Sequence, residues 1–209
     1  MKNINKQSEP KSLTQHRCNT HSNYDNFPKE GMNELRESLN SEQMGICCYC
    51  MQRIKPNEEW MKVEHWECQN KFPARQLDYS NMLGACRGGH GKPYKDQHCD
   101  TRKGKNTLSI NPSNTSHDVE LKFRYLGDGT IKCNDQSLQV EIDDTLNLNK
   151  KLLKSARRGV MDAFKQGLGK RSIRRADWNR ELSKWTNPTS SILRPFSQVV
   201  VYYIKKKLA

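Results

Sequence analysis

The chain has 209 residues and a formal net charge of +13, because 36 lysines and arginines stand against 23 acidic residues. Apolar side chains make up 33% of it, and no run of about 18 apolar residues, as a membrane-spanning helix needs, occurs. Residues 1–12 lack the apolar segment of a secretory signal. We therefore exclude a membrane protein and expect a cytoplasmic one, in which cysteines are more often metal ligands or catalytic groups than disulfides.

The predicted elements begin with a polar, aperiodic arm over residues 1–27. A narrow apolar stripe made by Met32, Leu35 and Leu39 then predicts a helix that ends before Gly45. The positive charge of the whole chain is typical of proteins that neutralise nucleic-acid phosphates, although a merely solvated basic surface gives the same balance.

The middle of the chain is too polar to fold around an apolar core of its own. Residues 47–66 look like short strands joined by turns, and residues 68–106 are rich in glycine and charge without clear periodicity. A stretch of that length without secondary structure is uncommon in a compact domain. Something other than an apolar core is therefore expected to organise it.

The remainder of the chain shows ordinary alternation and helical spacing, so the fold class is α+β. Residues 119–125 alternate as a half-buried strand, a glycine-rich turn follows, and residues 130–133 can pair back as a hairpin. Leu138, Val140 and Ile142 alternate again. Three later segments have helical spacing: 153–164, 173–185 and 195–204. For the last of them, a strand is the alternative.

Four cysteines have the pattern of a zinc site. Two thiolates at C-x-x-C spacing can bind one tetrahedral Zn²⁺, and a second pair would complete the site and supply folding free energy to a polar segment. The candidate ligands are Cys47, Cys50, Cys86 and Cys99. The alternatives are that Cys47, Cys48 and Cys50 are merely buried thiols, that His90 or His98 replaces a cysteine, or that the cysteines form a redox sensor.

The same segment carries a possible hydrolytic centre. Glu64-His65 follows an apolar-alternating stretch, and Asn81 and Asp100-x-x-Lys103 come later, with Asp100 directly after Cys99. A carboxylate pair suits a hard divalent ion, and a histidine can remove a proton from an attacking water. Each residue alone has a structural explanation, such as a helix cap for Asp100.

The order of these residues resembles the zinc-bound HNH endonucleases of ββα-metal type. The similarity extends to the HNH proteins of Septu and retron-associated anti-phage defence systems (PtuB-like), and it reaches from the arm to about Arg158. The segments that carry it are Glu9-Pro10, Ser41-Glu42-Gln43, Gly45-Ile46-Cys47-Cys48-Tyr49-Cys50, Val63-Glu64-His65, Leu77-Asp78-Tyr79-Ser80-Asn81-Met82-Leu83, His98-Cys99-Asp100, Lys103-Gly104 and Thr145-Leu146-Asn147-Leu148-Asn149.

The resemblance implies a zinc-bound ββα-metal (HNH) core with flanking helices and a small antiparallel sheet. Residues 1–46 would be an arm and helix that dock on a partner, residues 47–110 the nuclease core, and residues 111–209 a hairpin with basic helices. A departure from the family is the second pair of cysteines, which is usually C-x-x-C but here encloses residues 87–98.

The resemblance also implies a role for each site residue. His65 would be the general base, and Asp100, helped by Glu64, would hold Mg²⁺ or another divalent cation. Asn81 would fix the loop that orients the strand of His65, and Lys103 would lie near the phosphate. Because neighbouring residues of a strand point to opposite faces, Glu64 and His65 can share a site only if the strand ends or bulges there.

The resemblance finally implies a nucleic-acid substrate and partner proteins, and several basic residues are candidates for contacts with the nucleic acid. The substrate would be DNA or tRNA, with a non-catalytic zinc-bound nucleic-acid-binding or adaptor subunit as the alternative function. The chain has no phosphate-binding loop, so a PtuA-type ATPase would be a separate subunit, and a retron reverse transcriptase with its RNA–DNA a further partner. The residues expected to contact nucleic acid, unless they are simply solvated, are Arg87, Lys92, Arg157, Arg158, Arg171 and Arg174.

Overall fold

The computed structural model describes residues 1–169 and 172–209 and is an α+β fold with two small antiparallel sheets. The helices and strands of these residues are α1 (Lys11–Arg17), α2 (Lys29–Glu42), β1 (Met61–His65), β2 (Met82–Cys86), α3 (Cys99–Lys103), α4 (Val119–Lys122), β3 (Phe123–Tyr125), β4 (Ile131–Cys133), α5 (Gln136–Val140), α6 (Lys151–Leu168), α7 (Arg175–Thr186) and α8 (Ser197–Leu208).

A ββα unit lies at the centre of the fold. β1 and β2 pair antiparallel with His65 opposite Met82 and Met61 opposite Cys86, and α3 packs against β2. All five residues of β2 are buried. The unit therefore places the acid-His pair at the end of one strand, close to the start of the helix that carries Asp100.

The first residues of the chain are packed, which corrects the prediction of an aperiodic arm. Met1, Ile4 and Leu13 are buried, and Leu13 belongs to α1. The Nζ atom of Lys6 donates to the carbonyl oxygen of Met82 at 2.9 Å, so this segment is tied to β2. The apolar residues here are too far apart to form a periodic pattern, because each docks singly on the rest of the core.

Two predicted strands are helical. Residues 119–122 form α4, whose Leu121 is 76% exposed, so the strand begins only at Phe123. The alternating segment from Leu138 lies in α5 and a following π-helical turn, Glu141–Thr145. The side chain of Asp135 accepts a hydrogen bond from the N–H of Leu138 and starts that helix. The β3–β4 hairpin itself is confirmed.

The longer predicted helices are confirmed. The stripe in residues 29–42 faces the core as α2, and the basic segments form α6 and α7. The last segment is the helix α8, packed against α7, so its strand alternative is wrong. None of the helices in the described residues combines the length and apolar character that a membrane crossing requires.

Arg157 is buried inside this fold, and the expectation that it contacts nucleic acid is wrong. The residue is 0% exposed. Its Nε atom donates to the carbonyl oxygen of Gly129 at 2.5 Å and its Nη2 atom to that of Leu148 at 2.8 Å. The guanidinium group therefore joins the β3–β4 turn to the start of α6, and no phosphate can reach it.

Replacing Arg157 with methionine should lower the free energy of unfolding by about 3 kcal/mol, because two buried carbonyl oxygens lose their donors. Denaturant unfolding of the full chain measures the change. The control is Arg158→Met, which removes an exposed arginine of the same helix and should change stability by less than about 0.5 kcal/mol. A stable Arg157→Met variant that binds nucleic acid more weakly than Arg158→Met would contradict this role.

Candidate metal centre and catalytic cavity

Four buried cysteines converge on one point and could hold a metal ion such as zinc. Cys47 and Cys50 lie in a turn before β1, Cys86 ends β2 and Cys99 begins α3, and their Sγ atoms all lie within 4.8 Å of one another. The Cys47–Cys99 and Cys50–Cys86 sulfur pairs are 3.9 and 3.6 Å apart. Four sulfurs at about 2.3 Å from a tetrahedral Zn²⁺ lie about 3.8 Å from one another, so the donor set fits this ion.

The electrostatics of the cluster are those of thiols crowded in a dry site. Burial raises the pKa of Cys50 and Cys99 well above the usual range. Burial also acts to raise the pKa of Cys47, but hydrogen bonds from the surrounding thiols outweigh it and hold that pKa well below the usual range. The cluster therefore stabilises a thiolate, the form of cysteine that binds metal.

The insert between Cys86 and Cys99 closes on itself. The N–H of His98 donates to the carbonyl oxygen of Gly88 at 2.8 Å. Gly88 has a φ of +56°, and a Cβ there would lie 2.1 Å from the carbonyl oxygen of His98, so only glycine fits. Because the two ends of the insert meet, the two cysteines reach the same site despite their separation in sequence.

The two histidines considered as alternative ligands lie in different places. His90 is exposed on the insert. His98 is buried, with its Nδ1 atom 3.2 Å from the sulfur of Cys99 and 3.9 Å from that of Cys86. His98 thus touches the cluster at its edge, whereas the four cysteines form it.

A cavity of about 540 Å³ brings together three of the predicted site residues, whereas Asn81 and Lys103 do not line it. Glu64 and His65 from β1 and Asp100 from α3 all line it. His65 is the last residue of β1, so the strand ends where the two adjacent side chains must reach one site. Neighbouring side chains of a strand point to opposite faces, and Glu64 and His65 can share one site because the strand ends at His65.

His65 is held in one tautomer. Its Nε2 atom lies 2.9 Å from the carbonyl oxygen of Gln76, an acceptor, so Nε2 carries the proton and Nδ1 has a free lone pair. The edge of the Tyr24 ring packs against the imidazole, with ring centroids 4.6 Å apart. Burial lowers the pKa of His65 and favours the neutral imidazole.

Lys103 is enclosed beneath the cavity, which corrects the expectation that it lies near the phosphate. It is 1% exposed, and its Nζ atom lies 2.6 Å from Oε1 of Glu64 and 2.9 Å from the carbonyl oxygen of His65. The hydroxyl of Tyr49 donates to the same Glu64 oxygen at 2.7 Å. These contacts fix the backbone at the end of β1 and the orientation of the Glu64 carboxyl group.

The two carboxyl groups of the cavity influence each other. Burial and the negative charge of Asp100 raise the pKa of Glu64 well above its usual range. Burial also acts to raise the pKa of Asp100, but its hydrogen bond with Glu64 and the ammonium of Lys62, 2.6 Å away, hold it below the usual value. The two carboxyl groups are therefore coupled, and Glu64 holds a proton more tightly than Asp100 does.

Asn81 holds the loop that follows β1. It is 0% exposed, and its Oδ1 atom accepts a hydrogen bond from the N–H of Glu67 at 2.8 Å. Its Nδ2 atom donates to the carbonyl oxygens of Glu67 and Arg75 at 3.0 and 3.2 Å. These bonds join the start of β2 to the chain just beyond His65.

The basic residues expected to contact nucleic acid are spread over the molecule. Arg87 lines the cavity and donates to the carbonyl oxygen of Glu58 at 2.6 Å, and Lys92 is exposed on the insert. Arg158 and Arg174 are exposed but pair with neighbouring aspartates on α6 and α7. Arg171 lies outside the described residues.

Four residues at this site have no motif that marks them in the sequence. Tyr49 lies inside the C-x-x-C turn, where an aromatic residue suggests only packing. Tyr24 and Arg36 come from the N-terminal segment and α2, and Lys62 is one of many lysines. Tyr24, Arg36 and Lys62 line the cavity only through the tertiary fold, and Tyr49 acts on it through its hydrogen bond to Glu64.

The chain is similar to a known protein over most of its length. No protein-family model matches the chain. The chain is similar to an Escherichia coli protein named "Retron Ec83 putative HNH endonuclease", with 24% identity over an alignment of 242 residues. The alignment covers 92% of this chain and 93% of that protein, so the similarity extends over nearly the whole length of both.

Proposed function

We propose that the chain is a metal-dependent HNH endonuclease that hydrolyses phosphodiester bonds of DNA or tRNA. The observation that carries the proposal is the cavity in which a neutral His65 faces the Glu64–Asp100 carboxyl pair. The name of the Escherichia coli relative supports the same class of activity. The net charge of +13 suits a polyanionic substrate.

In the proposed reaction His65 is the general base. Its Nδ1 atom accepts a proton from the attacking water, whose oxygen bonds to phosphorus while the bond to the leaving oxygen breaks. The Gln76 carbonyl keeps the proton on Nε2, and Lys103 and Asn81 hold the backbone on either side of the imidazole. Lys103 and Asn81 are thus positioning residues.

The carboxyl pair fits a divalent cation. Lys103 pairs with Oε1 of Glu64 and Lys62 with Oδ2 of Asp100, so the second oxygen of each carboxyl group is the one that would serve as a ligand to Mg²⁺. Burial and the charge of Asp100 raise the pKa of Glu64, and a cation bound between the two groups would offset that effect. When bound, the cation would neutralise charge on the scissile phosphate. The four cysteines would hold a structural zinc that fixes β2 and α3, the elements beside this cavity.

We further propose that the nuclease is the effector subunit of a bacterial anti-phage defence complex of the retron or Septu kind. The retron named in the relative supports the retron setting. The proposed partners are an ATPase subunit of the PtuA type, a reverse transcriptase with its RNA–DNA, and the nucleic acid that is cut. Docking would involve residues 1–46, and residues 47–110 and 111–209 would be the nuclease core and the basic C-terminal part.

The test is the integrity of cellular DNA and RNA when the chain is produced with the genes that flank its own. The wild type should damage one nucleic acid and protect against phage, whereas Asp100→Ala should do neither and still contain zinc. The control is Asp162→Ala, an exposed carboxylate on α6 that pairs with Arg158 and should behave as the wild type.

Equal damage or equal protection from the wild type and Asp100→Ala would contradict catalysis and favour a zinc-bound adaptor. A wild type that neither damages nucleic acid nor protects cells would contradict the role as an effector. The damaged species, DNA or RNA, identifies the substrate.

A further inference from the structure

We propose that Arg36 binds a backbone phosphate next to the scissile one, and that the groove beyond Arg36 holds the adjoining nucleotide of the substrate. This inference rests on the proposed function, because it describes how the substrate continues past the catalytic cavity. Arg36 belongs to α2, outside the ββα unit.

The groove is a second cavity of about 840 Å³ that continues from the first. The two cavities share Tyr24, Arg36 and Glu58 in their walls. The Tyr24 ring packs against the His65 imidazole, with centroids 4.6 Å apart, and Arg36 lines the same cavity as both residues. A strand bound at His65 would therefore pass Arg36 as it enters the second cavity.

Arg36 has the unused hydrogen-bonding capacity that a phosphate needs. Its Nε atom is buried without a partner, and its Nη1 atom makes one long bond, 3.3 Å, to Oδ1 of Asn33. Among the described residues, no carboxylate lies close enough to form an ion pair with it. A guanidinium group offers five donors in a planar fork that matches two phosphate oxygens.

The other cations of the catalytic cavity differ in this respect. Lys62 is paired with Asp100, and Arg87 donates to the carbonyl oxygen of Glu58. Lys105 lies on the exposed segment after α3, and its side chain forms no hydrogen bond or ion pair with the other described residues. Arg36 is thus the arginine of this wall whose fork remains open.

The second cavity suits a base and sugar better than another phosphate. Beyond Arg36 its walls carry the amides of Asn33 and Asn57, one further cation, Lys29, and more carboxylates than cations: Asp25, Glu58 and Glu59. Carboxylates repel phosphate but accept hydrogen bonds from the amino groups of bases, and amides can both donate and accept. The phosphate therefore belongs at the Arg36 boundary and the base in the groove.

The test measures how tightly the full chain binds fluorescently labelled single-stranded DNA and RNA oligonucleotides. Binding is detected by fluorescence anisotropy, without added divalent cation. Arg36→Ala should bind about tenfold more weakly and reduce the slope of log Kd against log salt by about one. The control Arg180→Ala removes an exposed arginine on α7, giving the same net charge, and should change neither quantity.

A second variant separates the fork from the charge. Arg36→Lys should restore the salt dependence but not the full affinity, because a lysine is a point charge without the planar fork. If Arg36→Ala and Arg180→Ala bind alike, the inference is overturned while the proposed function stands. A wild-type chain that binds neither oligonucleotide would count against the proposed function itself.

Discussion

Replacing His65 with alanine should lower the rate of phosphodiester cleavage about a thousandfold, with nucleic-acid binding and zinc content unchanged. The imidazole is the one neutral base in the catalytic cavity whose free nitrogen, Nδ1, is left open by a fixed tautomer. General-base catalysis contributes about 10²–10⁴ to a rate, so its loss should reach the middle of that range. The measurement is the rate of substrate loss for the assembled complex purified from cells.

The matched control for this substitution is His90→Ala, on the exposed part of the insert, which should cleave as the wild type does. Binding of the labelled oligonucleotides reports whether the cavity survives the loss of the imidazole against Tyr24. A His65→Ala variant that cleaves within a few-fold of the wild type would show that another group removes the proton.

Replacing Cys50 with serine should cost the protein its zinc and its soluble fold together. Cys50 is fully buried, with its sulfur 3.6 Å from that of Cys86. The cluster joins the turn before β1, the end of β2 and the start of α3, and it lies inside the core, beside buried residues such as Tyr49, Met51 and Met82. Structural zinc sites contribute about 10–16 kcal/mol, which is comparable to the whole stability of a typical domain, about 5–15 kcal/mol.

Metal analysis of the purified chain and its yield in the soluble fraction measure this effect. Cys133→Ser is the control, since Cys133 is a half-buried cysteine on β4 outside the cluster and its variant should keep both zinc and solubility. Soluble, folded Cys50→Ser protein without metal would mean that the apolar core alone organises residues 47–110.

Sequence spacing predicts the elements that repeat their apolar pattern over several turns. The stripe in α2 and those in α6 and α8 each have enough repeats to define a buried face. The pair Cys47 and Cys50 is predictable for a similar reason, because C-x-x-C spacing is a local geometric property. Cys86 and Cys99 have no such spacing, and they meet only because the insert between them closes on itself. The acid-His pair and Asp100 follow from their order around those cysteines.

The remaining features depend on contacts between distant parts of the chain. Alternation over four or five residues is compatible with both a strand and a short helix, and Asp135 starts a helix at such a segment. Charged residues are normally exposed, but Lys103 and Arg157 are buried because each finds carbonyl oxygens, and in one case a carboxyl group, at fixed positions. No spacing rule contains that information.

The closed insert between Cys86 and Cys99 has a consequence for how this scaffold can vary. Its ends are joined by the His98–Gly88 hydrogen bond, while Gly91, near its tip, has no heavy atom within 4 Å of where a Cβ would lie. When the ends of a surface loop are already held together, adding residues at its tip lowers the free energy of unfolding only slightly, because the entropy of loop closure grows slowly with length. The tip is therefore a suitable place to insert a peptide tag or a reporter domain, because an insertion there leaves the closed base of the insert, and with it the cysteine cluster, unchanged.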